Sequence, residues 1–120
     1  MADEHGSSMP PNCEPAISGE TVTELVDRPI DEELELFSAL ANETRLRILQ
    51  IIDSAEGEVC GCELKPHLDV GQSSISQSMS RLRKAGLLTR RKDGRWRYYD
   101  TTPQATKLLG AVDPEPPTIR

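Results

Sequence analysis

Apolar positions recur along the chain with two different periods. From Asp31 to Asp53, and again from Gln72 to Ala85, they return every three or four residues, as on one side of a helix. Around Asp93-Gly94 they alternate with basic residues, as in two paired strands. The first period predicts a helix over 31–41. Its apolar stripe is Leu34, Phe37, Leu40 and Ala41, and Asp31, Glu32 and Glu33 suit its N-terminal dipole. Asn42 is a natural N-cap for a second helix over 43–53. Leu46, Ile48, Leu49, Ile51 and Ile52 give that helix a broad apolar surface and a central place in the core. A third helix is expected from Cys60–Cys62 to about Leu68, starting late or irregular because of Pro66. A fourth, over 72–85, turns Ile75, Met79 and Leu82 inward and closes at Gly86. Residues 87–91 and 95–100 flank Lys92-Asp93-Gly94, a strong hairpin signal, and a last short helix is expected over 103–110.

The flanks read differently. Residues 1–29 carry Pro10, Pro11, Pro15 and Pro29 among polar and acidic residues and read as a flexible arm, with a short helical turn at Glu20–Val26. Residues 111–120, with Pro114, Pro116 and Pro117, read as a disordered tail. The folded domain is thus expected over 30–110. Its order, α-α-α-α-β-β-α, is mainly helical with a β-hairpin and predicts a winged helix-turn-helix. A length of 120 residues suits one domain. No stretch is apolar enough to span a membrane. The acidic, polar start resembles neither a secretory signal nor a transit peptide, so a cytoplasmic location is expected.

Charge changes the picture. The net charge is −6, which by itself disfavours a polyanionic partner. Its distribution does the opposite. Arg81, Arg83, Lys84, Arg90, Arg91, Lys92, Arg95 and Arg97 lie in one segment with a single acid, Asp93. A basic face on an acidic body is an electrostatic footprint for phosphate. The polar side of the fourth helix offers Gln72, Ser73, Ser74, Gln77, Ser78 and Arg81 and holds no acid. Small polar donors and acceptors of this kind read base edges, and Gln pairs with adenine. Arg90, Arg91, Lys92, Arg95 and Arg97 on the hairpin suit phosphates and the minor groove. Trp96 is expected to pack the hairpin onto the domain. The expected partner is a double-stranded DNA operator.

Three cysteines complete the candidate chemistry: Cys13 in the arm, and Cys60 and Cys62 one residue apart. Cys60 and Cys62 are too close for a relaxed disulfide. Thiolates select soft metals and metalloids, and a helix N-terminus favours the thiolate. Two thiols are too few for a closed zinc site but supply most of a three-coordinate centre, such as arsenic or antimony in the trivalent state. Cys13 is one candidate third ligand; His67, Glu63 and Asp69 are the others nearby. Oxidation of the thiols is an alternative switch. An enzyme is not expected: the chain has no Cys-x-x-Cys pair and no phosphate-cradling glycine loop.

Taken together, these segments resemble the ArsR/SmtB metalloregulatory repressors, above all the arsenic-sensing branch. The resemblance covers 30–103. It rests on Ala39-Leu40-Ala41-Asn42-Glu43-Thr44-Arg45-Leu46-Arg47-Ile48-Leu49, on Glu58-Val59-Cys60-Gly61-Cys62-Glu63-Leu64, on Ser74-Ile75-Ser76 through Leu82-Arg83-Lys84-Ala85-Gly86-Leu87-Leu88, and on Asp93-Gly94-Arg95-Trp96-Arg97-Tyr98-Tyr99. It implies a homodimer that represses a resistance operon from an inverted-repeat operator and lets go on binding arsenite or antimonite. It implies no permanently bound cofactor. The first two cysteines of the family's arsenic box fall on Cys60 and Cys62, and the third falls on Lys65. In the cadmium- and lead-sensing branch, cysteines of the N-terminal arm join this pair, which gives Cys13 a role and keeps cadmium and lead as alternative inducers.

Overall fold

The computed structural model describes residues 14–112, divided into two units between Ile30 and Asp31. The first unit contains α1, Gly19–Asp27, within the segment read as an arm. Ser18 caps it, its hydroxyl oxygen accepting the Thr21 amide at 3.4 Å. α1 buries none of its residues.

The second unit runs α2 (Asp31–Leu40), α3 (Glu43–Ser54), β1 (Val59–Cys60), two 3-10 turns (Gly61–Glu63 and Lys65–His67), α4 (Gln72–Lys84), β2 (Leu88–Asp93), β3 (Trp96–Thr101) and α5 (Pro103–Ala111). Caps mark the helix starts. The Asn42 side chain accepts the Arg45 amide at 3.0 Å, and Thr102 accepts that of Ala105 at 3.2 Å. Arg45 also ties α3 back to α2 by donating to the Ala39 carbonyl at 2.6 Å. Gly86 and Gly94 adopt φ of +82° and +64°, where a Cβ would be strained, and so end α4 and turn the hairpin.

The core is filled by Ile48, Leu49 and Ile52 of α3, Ile75 and Leu82 of α4, Leu64 and Leu87, all almost inaccessible. Fully burying such a side chain stabilises the fold by about 1.5–3 kcal/mol. No polar or charged residue among those described is buried.

Two expectations are corrected. The third helix is not an α-helix. Residues 59–60 form a strand and 61–67 two 3-10 turns, because Pro66 has no amide hydrogen to continue an α-helical ladder. The sheet therefore has three strands in the order β1-β3-β2, all antiparallel. The face of α2 also differs: Leu36 and Ala39 are buried, whereas Leu34 and Phe37 stay 56% and 57% exposed. Residues 113–120, read as a tail, lie outside the described residues.

Candidate thiol cleft and nucleic-acid interface

The thiols sit where β1 passes into the first 3-10 turn. β1 is short, but its register is fixed: Val59 pairs with Tyr99 and Cys60 with Tyr98. Leu64 is completely buried between the two turns and pins the segment to the core. The Cys60 amide donates to the Glu63 carboxylate at 2.9 Å. These anchors bring the sulfurs of Cys60 and Cys62 to 2.8 Å, sharing one hydrogen bond. Cys60 is half-buried and Cys62 exposed.

The electrostatics differ from expectation. The Cys62 thiol titrates above its ordinary range, first because it is hydrogen-bonded to Cys60, then through partial desolvation and the negative charge of a Cys60 thiolate and of Glu63. Two thiols this close resist ionising together. The 3-10 turn behind them is three residues long, too short to supply the dipole of a helix N-terminus.

Cys60, Cys62, Gln72, Ser76, Met79, Arg95, Trp96, Arg97 and Tyr99 line one open cleft of about 230 Å³. Gln72, Ser76 and Met79 stand one turn apart along α4, so a single stripe of that helix faces the thiols. Nothing in the sequence pattern marks Ser76, because its role comes from a tertiary approach. Trp96 was expected to be packed; it is 47% exposed, lines the cleft, and has the Arg95 guanidinium over its ring at 5.3 Å.

The other candidate DNA contacts divide into open and engaged side chains. Ser73, Ser74 and Gln77 of α4 are exposed and Ser78 is half-exposed. Arg90, Lys92 and Arg95 are exposed on the hairpin, and Arg97 donates to the Gly94 and Trp96 carbonyls at 3.2 and 3.3 Å. Arg81 instead donates to Glu35 and, at 3.0 Å, to Ser38, which joins α4 to α2. Arg91 is held by Glu58 through contacts of 2.8, 3.0 and 3.1 Å and lies over the Tyr98 ring at 4.7 Å. That bond holds the Glu58 carboxyl below its ordinary range and raises Arg91. Cys13 lies outside the described residues. Among those described, no three His, Cys, Asp or Glu side chains gather as an ion site, so His67, Glu63 and Asp69 do not complete one with the thiols.

The model of the arsR family of bacterial regulatory proteins matches residues 42–90. Two Halobacterium salinarum proteins named as arsenical resistance operon repressors, ArsR and ArsR2, are similar to the chain. They are 50% and 46% identical over 70% and 68% of it, and the matches span 65% and 68% of their own lengths. The chain belongs to the arsR family. Among solved structures of like fold, HlyU from Vibrio cholerae superposes with a TM-score of 0.61 at 28% identity, covering 71% of this chain and 91% of HlyU. The family assignment fits the winged helix-turn-helix described above. No helix among the described residues is long and apolar enough to cross a membrane.

Proposed function

We propose that the protein is a dimeric DNA-binding repressor that leaves its operator when trivalent arsenic or antimony binds the thiolates of Cys60 and Cys62. One observation carries this reading: the paired sulfurs line the same cleft as Gln72 and Ser76 of α4 and Arg95, Trp96 and Arg97 of the hairpin. α4 places Ser73, Ser74, Gln77 and Ser78 towards solvent, as a base-reading helix requires, and the hairpin supplies the phosphate contacts. Cys13 is the third thiol of the chain and a candidate partner for the pair. The Halobacterium relatives named for arsenical resistance support arsenic as the inducer.

A second copy is supported by the apolar surface that α2 and the end of α5 leave uncovered, with Leu34, Phe37 and Val112 all more than half exposed. Twofold symmetry would then match an inverted-repeat operator.

Binding at the sulfurs pulls on β1 and the first 3-10 turn. The chain continues from them through the second 3-10 turn and residues 68–71 into α4, and β1 pairs with β3 of the hairpin, so the reading surfaces lose their mutual register. Ion and operator then oppose each other by about 1–3 kcal/mol. Replacing both Cys60 and Cys62 with Ser is expected to leave operator binding intact and to abolish release by arsenite, measured by fluorescence anisotropy of labelled operator. Normal release from the double variant would refute the site.

A further inference from the structure

The cleft beside the thiols is not walled by sulfur alone. Gln72 and Ser76 of α4 line it together with Cys60 and Cys62, and Arg95 and Arg97 line it from the hairpin; their side chains carry an amide, a hydroxyl and two guanidinium groups. Every one of these groups donates hydrogen bonds to oxygen. The position at which the family's arsenic box has a third thiol holds Lys65, and no acid or imidazole among the described residues completes the pair.

We propose that arsenic is held here by two sulfurs and one oxygen, the oxygen being a hydroxyl retained from arsenous acid and gripped by Gln72 and Ser76. This rests on the thiol-sensing reading above and specifies its third coordination position. The step balances without an oxidant or reductant. Arsenous acid carries three As–O bonds. Two break as As–S bonds form to Cys60 and Cys62, the two thiol protons leave on the two departing hydroxyls as water, and the third As–O bond stays. Arsenic remains trivalent throughout.

The consequence reaches DNA directly. Gln72 opens α4 and lies at the edge of its exposed polar side. A Gln72 amide turned inwards onto arsenic-bound oxygen is no longer available to a base. The same contact that completes the ion site thus removes one reader from the operator.

Arsenic-edge X-ray absorption of the full chain loaded with arsenite tests the coordination. The expected first shell is two sulfurs and one oxygen, unchanged in Cys13→Ser. Equilibrium dialysis of DNA-free protein tests the residues. The Gln72→Ala/Ser76→Ala double variant is expected to need about three- to tenfold more arsenite for half-saturation, as for loss of one or two polar contacts. Its thermal midpoint and its count of titratable thiols report whether it remains folded. Ser76→Ala alone, at an exposed helix position, gives a second reading and is expected to shift half-saturation in the same direction. A shell of three sulfurs, or unchanged half-saturation in these variants, would overturn the proposal and leave thiol sensing standing. Failure of wild-type protein to retain any arsenic would overturn thiol sensing itself.

Discussion

In the proposed sensor the chemistry falls on Cys60 and Cys62, and their contact sets how they react. With the sulfurs 2.8 Å apart, Cys62 gives up its proton less readily than an ordinary thiol. The thiolate is the nucleophile. Because the shift is upward, the reactive form of Cys62 is scarcer at neutral pH and recovers only as pH rises through the raised value. Iodoacetamide at pH 7 is therefore expected to label Cys62 several-fold more slowly than free cysteine, and Cys60→Ser to recover most but not all of that difference, since Glu63 and desolvation remain, read by mass spectrometry of the modified peptide. Equal labelling in both proteins would remove the shared hydrogen bond from the account. The Cys-x-Cys pair was legible in the sequence, but its acidity was not. A helix start was expected to lower the thiol pKa; the three-residue turn supplies no such dipole, and the hydrogen bond to Cys60, with desolvation and the charge of Glu63, raises it instead.

At the scale of elements, β1 couples the thiols to the wing. Cys60 pairs with Tyr98, which pairs in turn with Arg91, and the row is closed by the ion pair of Arg91 with Glu58. Glu58 therefore neutralises one of the cations proposed to meet DNA. Glu58→Gln is expected to strengthen operator binding about two- to fivefold at low salt, within the range of an exposed ion pair, and the gain should shrink as salt screens the freed charge. Salt titrations of both proteins on one operator measure this. A gain that persists undiminished at high salt would point away from Arg91. Periodicity revealed α2, α3, α4 and the hairpin because each has its own repeating pattern. It did not reveal β1, since two residues are too few to show alternation and the strand exists only by pairing with β3. Arg81 and Arg91 were likewise legible as basic residues, while Glu35 and Glu58, distant in sequence, settle what they touch.

For the whole molecule, an acidic body carries a basic reading edge. The chain has a net charge of −6, so approach to DNA depends on orientation, which the proposed twofold dimer would fix. Phe37 at 57% exposure and Leu34 at 56%, one turn apart on α2, leave an apolar stripe of that helix uncovered. The Leu34→Glu/Phe37→Glu variant is expected to sediment as a monomer at micromolar concentration and to bind the operator about tenfold or more weakly. An unchanged sedimentation coefficient would place the dimer contact elsewhere. Both residues belong to the apolar stripe that periodicity assigns to α2. A period marks which residues share a side, but it does not say whether that side faces the chain's own core or a second copy.

The central place of β3 has a kinetic corollary. Because this strand lies between β1 and β2, the hairpin cannot peel away through β3 without also unzipping the segment that bears Cys60. A wing that frays through β3 thus also frees the backbone that holds the sulfurs, so the reading hairpin and the thiol segment share one opening event.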